Sequence, residues 1–292
     1  MTSPELRAGD RLLGEEEAEA LRTLGVAAAE VHDVGVFRSS PRRRRTLRVV
    51  TADGTSLKVR YYTRPRKVRT AAALRIGLAD DRLPKILLVG RRVVVEEWVD
   101  GISLQHLPLS EARLTQAADL LGALHATLAV GHRRLPVSRR VRPLLRRAER
   151  HLARLVAAGV VHDAERRLIA RSLARFAPEH ALAGVTHDDF CAENLVEDRC
   201  GRVLAVDNEH MRIGFLAFDL ARTWSRWPMP VEAWERFQDR YCSWCGPVDR
   251  EMVPFWRVAA VLSSAYVRLT RLDGARLEAP LDKLRELTAE LV

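Results

Sequence analysis

A dense set of polar side chains, set between short apolar segments, occupies the stretch from Val185 to Trp224. The members with the most versatile chemistry are His187, Asp188, Asp189, Asn194, Asp207 and Asp219. The short segments NLV and VLAV flank a turn that contains Gly201, and this pattern predicts a β-hairpin. The hairpin would bring Asp189, Asn194 and Asp207 to one end of a small sheet. Two carboxylates and an amide oxygen are ligands that suit Mg²⁺, which also keeps water and phosphate oxygens in its coordination shell.

The spacing of these residues resembles that of a known family. His187-x-Asp189-x4-Asn194, followed thirteen residues later by Asp207, is similar to the H-R-D-x4-N and D-F-G loops of protein-kinase-like phosphotransferases. The strings THDDFCAENLV, VDNEH and FDLA look more like the aminoglycoside phosphotransferase and choline kinase branch. That branch typically reads HGD-x4-N, then IDW or IDFE, then DLA at the start of a helix. The resemblance covers roughly residues 30–270 and is most specific at 185–224.

The resemblance implies a role for each matched residue. Asp189 would accept the proton of the substrate hydroxyl, and His187 would brace the catalytic loop. Asn194 and Asp207 would hold Mg²⁺ against the phosphates of ATP, or of GTP. Asp219, at the start of a helix, would anchor the loop structurally. The simpler interpretation is an acidic surface loop capped by a helix, and the matched types at matched spacing weigh against it.

Composition narrows the class of protein. The chain has 292 residues, of which 47% are hydrophobic and 29% charged, as in an ordinary globular enzyme. The first residues contain no apolar signal segment, and no apolar run is long enough to span a membrane, so we expect a cytoplasmic protein. The net charge of +10 favours anionic partners and would repel a polycation at long range, although it does not fix the field inside a pocket.

The resemblance also implies the fold class, which is α+β with two lobes. A small β-rich N-lobe would span residues 1–100, a larger and mainly helical C-lobe residues 101–292, and ATP would bind between the lobes. Within the C-lobe, Ser110 is a predicted N-cap for a helix that continues through Ala129. The apolar stripe of that helix comprises Ala117, Leu120, Leu121, Leu124 and Leu128. Residues 131–180 would be an insertion of two helices that forms part of the acceptor-binding wall.

Nucleotide-binding residues are expected in the N-lobe, by the same resemblance. Lys58, on a predicted strand, would contact the ATP phosphates, and Ser39 and Ser40 would supply donors from the preceding loop. The segment from Glu97 to Val99, which includes Trp98, resembles the hinge that faces adenine.

One departure from the family pattern affects Lys58. In kinases, the helix after this strand supplies a glutamate that pairs with the lysine. Here no acidic residue occurs between Asp53 and Asp80, and Thr70 lies where the glutamate is expected. Lys58 would then be held by phosphate or by Asp207. Alternatively, it points to solvent and Arg60 or Arg48 takes its place.

Arginine is concentrated between Arg133 and Arg175, with thirteen arginines in this segment. Five recur at intervals of three or four residues and are predicted to share one helical face: Arg139, Arg142, Arg146, Arg150 and Arg154. This face could bind an anionic acceptor or an RNA backbone, or it could be an ordinary solvated surface. No aromatic residues are interspersed among these arginines, which weighs against stacking on single-stranded nucleic acid.

These observations favour a Mg²⁺-dependent kinase that transfers the γ-phosphate of ATP to a hydroxyl of a small molecule. The acceptor could be an antibiotic, a sugar, an amino alcohol or a nucleoside. Two alternatives stay open: a nucleic-acid-associated or RNA-directed kinase, and a pseudokinase that binds nucleotide without turnover. The acceptor, the choice between ATP and GTP, and the oligomeric state do not follow from the sequence.

Overall fold

The computed structural model describes residues 12–35, 44–78, 81–130, 133–247, 249, 252–271 and 276–290. The chain divides into two units. The first unit consists of Met1–Ser103 with Val196–Glu209, and the second of Leu104–Leu195 with His210–Val292. The fold is α+β, as predicted, because strands dominate the first unit and helices the second. The segment 196–209, assigned to the C-lobe on sequence grounds, packs with the first unit.

Strands and two helices form the first unit. In chain order these elements are α1 (Glu15–Thr23), β1 (Ala28–Asp33), β2 (Arg44–Thr51), β3 (Ser56–Tyr62), α2 (Pro65–Leu78), β4 (Ile86–Val89), β5 (Val93–Glu97) and β6 (Gly101–Ser103). The first five strands pair antiparallel in the order β1-β2-β3-β5-β4. Strands β2 and β3 form a hairpin, and Gly54 takes φ of 83° in its turn.

Side-chain alternation gives this sheet one apolar and one charged face. On β3, Leu57 and Val59 are buried in the apolar cluster that also contains Ala20 and Leu21 of α1. Because successive strand residues point to opposite faces, Lys58 and Arg60 project from the other side of the sheet. The charged face therefore follows directly from the sequence SLKVRYY.

The second unit is mainly helical. In chain order the elements from its start are α3 (Glu111–His125), β7 (Ala129–Val130), β8 (Arg133–Arg134), β9 (Val137–Arg140), α4 (Arg142–Ala157), α5 (Asp163–Phe176), β10 (His180–Thr186), β11 (Leu195–Asp198), β12 (Val203–Ala205), β13 (Arg212–Phe215), α6 (Leu216–Arg226), α7 (Val231–Cys245), α8 (Val253–Arg271) and α9 (Glu278–Ala289). Of these, β12 and most of β11 belong to the first unit, where they extend β6 in the order β12-β11-β6. The predicted hairpin with Gly201 in its turn is thus confirmed.

Helix α8 forms the centre of the second unit, where it packs against α4, α5, α6 and α9. Helix α4 buries one apolar stripe, which comprises Leu144, Ala148, Leu152 and Leu155. Arg139 was assigned to the arginine face of that helix, and this was wrong. It lies in β9, where it pairs with Ala181 of β10, so it does not continue the helical repeat.

Helix α3 begins as predicted but ends earlier. The hydroxyl of Ser110 accepts a hydrogen bond from the Arg113 amide at 3.4 Å, which confirms the N-cap. The helix ends at His125, and the carbonyl of Leu128 instead accepts from the Leu135 amide at 2.7 Å beside the β7–β8 pair. Leu128 is 75% exposed, so its assignment to the buried stripe was wrong. Within the described residues, no helix combines the length and the apolar character needed to cross a bilayer.

Candidate active site

Asp219 anchors the loop 187–194 in the second unit. It lies in the first turn of α6, is fully buried, and accepts hydrogen bonds from the backbone amides of His187 at 2.7 Å and Asp188 at 2.8 Å. His125 Nε2 lies 3.2 Å from the same carboxylate, and His125 Nδ1 lies 2.8 Å from the Tyr241 hydroxyl. Burial opposes ionisation, but the hydrogen bond and charge of His125 outweigh it and lower the pKa of Asp219. His125 is thus a packed residue of the protein interior.

The residue after His187 has an unusual backbone conformation. Asp188 takes φ of 66°, in the left-handed region that glycine favours and that aspartate tolerates better than most residues. This position is glycine in the HGD motif that the sequence resembles. The Asp188 carboxylate lies 2.5 Å from Arg212 Nε. The loop therefore adopts a backbone conformation that glycine would allow, and it carries a charge that Arg212 pairs.

Asp189 is held on several sides. Its amide donates to His187 Nδ1 at 3.3 Å, so His187 contacts the loop in the way that bracing requires. The Asn194 amide donates to the Asp189 carbonyl at 2.9 Å and to its carboxylate at 3.2 Å. Arg222 lies 3.2 Å from the other carboxylate oxygen, which Arg226 also contacts. The carboxylate is thus fixed in position by groups from both the loop and α6.

The charge state of Asp189 follows from these neighbours. Burial raises the pKa of the carboxyl, but Arg226 and Arg222 outweigh this effect and hold it below its ordinary value. An ionised carboxylate can accept a hydrogen bond from a substrate hydroxyl and orient it for attack. A carboxylate with a lowered pKa would serve chiefly to position a nucleophile and would accept its proton late.

Arg222 and Arg226 were not among the predicted site residues. They follow Asp219 by three and seven positions, so they share its face of α6. Once Asp219 was assigned to the catalytic loop, the helical repeat in FDLARTWSR was a signal that could have identified them.

In the first unit, Lys58 belongs to an ion-pair network on the charged face of the sheet. Its ammonium lies 3.2 Å from a Glu96 oxygen and 3.3 Å from an Asp207 oxygen. Arg60, two residues along β3, lies 2.5 Å from the same Asp207 oxygen and also contacts Glu209. The side chain of Lys58 is only 11% exposed. The alternative that it points to solvent was therefore wrong.

Glu96 provides the acid that was missing from the helix. Residues 58 and 96 are directly opposite in the β3–β5 register, where an opposite-charge pair is favourable. The α2 helix instead contributes a cation, Arg75, which pairs with Glu96 from the other side. Burial raises the pKa of Glu96, but Lys58 and Arg75 outweigh it and lower the value. Strand alternation could have identified Glu96, since Val93 and Val95 occupy the apolar face.

Asp207 takes φ of 62° at the end of the hairpin, another left-handed conformation in a residue other than glycine. Burial raises its pKa, but Arg60 and then Lys58 outweigh it and hold the value well below the ordinary range. The carboxylate is therefore ionised at any physiological pH. Such a group offers oxygen ligands of the kind that Mg²⁺ binds.

The predicted hinge has one backbone donor available. The Glu97 amide donates to the Lys85 carbonyl at 3.0 Å, and the Trp98 amide to the Ser56 carbonyl at 3.3 Å. Within the described chain, the Val99 amide has no acceptor. Trp98 also stacks under the Arg48 guanidinium, 4.9 Å from its ring centre. The predicted donors Ser39 and Ser40 lie outside the described residues.

The residues present fit a magnesium ion in their donor chemistry. The nitrogen of the Asn194 amide is engaged by Asp189, which leaves its oxygen without a protein partner among the described residues. The described part of the chain contains no cluster of three or more His, Cys, Asp or Glu side chains placed to hold a metal. Mg²⁺ commonly uses only one or two protein ligands and completes its shell with water and substrate phosphates.

Comparisons with known proteins identify solved structures of the same fold. Solved structures with the same fold include a macrolide 2′-phosphotransferase type I, at TM-score 0.67 and 17% identity over 96% of this chain and 98% of that one. The choline kinase LicA from Streptococcus pneumoniae is similar at TM-score 0.67 and 14% identity, over 93% of this chain and 97% of that one. A thermostable mutant of aminoglycoside phosphotransferase APH(4)-Ia, in a ternary complex with AMP-PNP and hygromycin B, is similar at TM-score 0.64 and 15% identity. This match covers 94% of this chain and 98% of that one.

At these identities the solved structures establish the fold, which is that of protein-kinase-like phosphotransferases. No curated protein matches the sequence significantly. The model of the phosphotransferase enzyme family matches residues 45–256, well over half of the chain. The matched range includes Lys58, Asp189 and Asp207. The chain therefore belongs to the phosphotransferase enzyme family.

Proposed function

We propose that this phosphotransferase transfers the γ-phosphate of ATP to a hydroxyl group of a small molecule, with Mg²⁺ as cofactor. The observation that carries the proposal is the geometry of Asp189, an ionised carboxylate fixed by Asn194, Arg222 and Arg226 on a loop that Asp219 anchors. One structural relative was crystallised with an ATP analogue and an antibiotic, which supports a nucleotide and a small hydroxyl compound as substrates.

The reaction requires little covalent participation by the protein. Asp189 would orient the acceptor hydroxyl and accept its proton as the oxygen attacks the γ-phosphorus atom. The phosphorus–oxygen bond to ADP breaks as the new bond forms. Positioning and charge neutralisation provide most of the rate enhancement in reactions of this type.

On the nucleotide side, Lys58 would contact the phosphates, and the hinge from Glu97 to Val99 would contact adenine. The free amide of Val99 supports a hydrogen bond to the base. Asn194 and Asp207 would be the protein ligands of Mg²⁺, which neutralises phosphate charge when bound. Because Lys58 and Arg60 already contact Asp207, binding would require these cations to shift toward the phosphates.

The alternative of a pseudokinase rested on the missing helix glutamate. Glu96 supplies a carboxylate to Lys58 from the neighbouring strand, so that observation no longer favours the pseudokinase. The retained Asp189, Asn194 and Asp207 favour an active enzyme.

Calorimetric titration of ATP and of GTP, each with and without Mg²⁺, tests the proposal. Wild type, Asp207→Asn and Asp189→Asn would be compared. We expect magnesium-dependent nucleotide binding in wild type and Asp189→Asn, and its loss in Asp207→Asn. Equal affinity with and without Mg²⁺ in all three proteins would remove Asp207 as a metal ligand. Absence of nucleotide binding in wild type would overturn the proposed function.

A further inference from the structure

Six arginines from four elements of the second unit interact with the loop 187–194 or electrostatically with one another, and we call this set the arginine cluster. Its members are Arg147 and Arg150 of α4, Arg212 of β13, Arg222 and Arg226 of α6, and Arg268 of α8. These are different from the arginines that the sequence placed on the outer face of α4, apart from Arg150. Tertiary packing brings them together.

The carboxylates near the cluster are fewer than its cations. Arg212 pairs with Asp188, and Arg222 and Arg226 share Asp189. Arg226 also lies 3.1 Å from Glu193. Three arginines of the cluster thus form ion pairs with three acidic residues, and the other three arginines do not take part in these pairs.

Arg147, Arg150 and Arg268 have no carboxylate partner among the described residues. The Arg147 guanidinium lies 5.1 Å from the centre of the Phe218 ring, and Arg268 donates only to Ser264. Arg147 and Arg268 are half-buried, so water screens their charge incompletely. Cations in such surroundings destabilise one another unless an anion is bound.

The pKa values at the unpaired arginines agree with an uncompensated positive potential, whereas at Arg226 burial is outweighed by the charges of Asp189, Cys191 and Glu193, which raise the pKa. Burial, and then the charge of Arg212, lower the pKa of Arg147. Burial, and then the charge of Arg226, lower the pKa of Arg268. Burial, followed by Arg147 and Arg150, also lowers the pKa of His151 to about 4.

We propose that the acceptor is an anionic hydroxyl compound, whose phosphate or carboxylate group binds the arginine cluster while its hydroxyl lies at Asp189. The proposal rests on the phosphotransferase function above and specifies its substrate class. Guanidinium groups bind phosphate and carboxylate with paired, charge-assisted hydrogen bonds, so several unpaired arginines suit such a group. A polycationic acceptor would be repelled by the same residues.

Two of the unpaired arginines, Arg147 of α4 and Arg268 of α8, interact electrostatically with the neighbours of Asp189. Arg147 is coupled electrostatically to Asp188 and Arg222, and Arg268 to Arg222 and Glu193. Both are thus close to the residues that contact Asp189, without contacting it themselves. This placement suits recognition of a second group on the molecule that carries the reacting hydroxyl.

A binding experiment tests the proposal independently of turnover. Inorganic phosphate, glycerol 3-phosphate, glycerate, glycerol and choline would each be titrated calorimetrically into the full-length protein saturated with Mg²⁺ and AMP-PNP, and into the protein alone. We expect glycerol 3-phosphate or glycerate, and phosphate itself, to bind in both states, and glycerol and choline not to bind. Comparison of glycerol 3-phosphate with glycerate distinguishes a phosphate from a carboxylate.

Two matched variants locate the binding site. Arg147→Gln/Arg268→Gln removes two unpaired members of the cluster, and Arg146→Gln/Arg154→Gln removes two exposed arginines of α4. Loss of two charge-assisted contacts should weaken anion binding about tenfold or more in the first variant and leave it nearly unchanged in the second. Thermal unfolding of both variants would verify that they are folded.

Several outcomes would overturn the proposal. These are absence of anion binding to wild type, equal weakening in the two variants, or preference for choline over the anions. Anion binding that disappears when AMP-PNP is present would assign the arginines to the transferred phosphoryl group instead. Titration of Mg²⁺ and ATP in the same samples separates these failures from failure of the proposed function.

Discussion

The charged networks of the two units differ in their balance. In the first unit, Lys58, Arg60 and Arg75 are matched by Glu96, Asp207 and Glu209. In the second unit, the arginine cluster contains twice as many cations as the acids it contacts. Both networks include a residue matched to the phosphotransferase motif. The two networks therefore differ in net charge, and this difference affects which ligands each of them can bind.

A balanced network can exchange partners without exposing net charge. If Asp207 binds Mg²⁺ as proposed, the metal would take the place of Lys58 and Arg60 at the carboxylate, and the phosphates would pair with those cations, so that each charge would keep a partner. In the second unit, Arg147 and Arg268 have no carboxylate partner among the described residues that they could exchange for a ligand. Its excess charge is best matched by an anion from outside, which is the physical basis of the proposed acceptor class.

The largest expected effect comes from removing the acid at the centre of the second network. Asp189→Asn should lower kcat by about 10²–10⁴-fold, because the acceptor hydroxyl loses its proton acceptor. ADP release measured with an excess of acceptor would show the loss, while nucleotide affinity should be retained. Glu193→Gln also removes a partner of Arg226 and should have a much smaller effect. Turnover near that of wild type in Asp189→Asn would exclude Asp189 as the base.

In the first unit, breaking the balance should affect stability. Glu96→Gln leaves Lys58 and Arg75 without their shared carboxylate in a site where Glu96 is only 4% exposed. Loss of one partner from a buried ion pair costs about 3 kcal/mol or more. Denaturant unfolding of the protein would measure the change. Glu30→Gln, on an exposed position of β1, is the matched control and should shift stability by about 0.5 kcal/mol or less. Equal effects of the two substitutions would contradict the network as described.

The left-handed backbone conformation of Asp188 should have a smaller effect on stability, which a comparison of two variants can isolate. Asp188→Gly and Asp188→Ala both remove the partner of Arg212, but only alanine is strained at φ of 66°. The glycine variant should be more stable than the alanine variant by about 1 kcal/mol. Urea unfolding of the two proteins would measure the difference. Identical stabilities would mean that the backbone relaxes to another conformation at this position.

The smallest effect is a pH dependence at His151, which reports on the arginine cluster. Its pKa is about 4, below the ordinary 6.5, so the unfolded chain takes up a proton first as the pH falls. The folded state should therefore lose stability between pH 6.5 and 4, with no effect above that window. Between pH 7 and 5 the loss should be about 1 kcal/mol, allowing for partial exposure. His151→Gln should remove this component of the pH dependence. Unfolding midpoints at pH 7 and 5 test it, and parallel changes in both proteins would refute it.

Features set by local sequence were predictable. The β2–β3 and β11–β12 hairpins follow from alternating apolar residues and turn glycines, and α4 follows from its helical repeat. The motif positions from His187 to Asp219 were identified by their spacing. Glu96 was within reach of the same reasoning, because alternation along β5 places it beside Lys58. It was missed because the acid was expected on the helix.

Features set by tertiary packing were not predictable. The sequence drew attention to the many arginines of α4, yet the second unit combines Arg147 with arginines from β13, α6 and α8. No local pattern links these positions. Leu128 shows the same limit: its spacing fits the apolar stripe of α3, but the chain has left the helix before this residue to form β7.

The strand origin of Glu96 has a consequence for regulation. In protein kinases, the lysine pairs with a glutamate on a mobile helix, so a helix displacement can switch the enzyme off. Here Lys58 and Glu96 are held opposite each other by the hydrogen-bonded register of β3 and β5. A displacement of α2 would remove the Arg75 contact but leave the lysine paired. A movement of the helix would therefore not separate Lys58 from its carboxylate partner, in contrast to the helix-borne pair of signalling kinases.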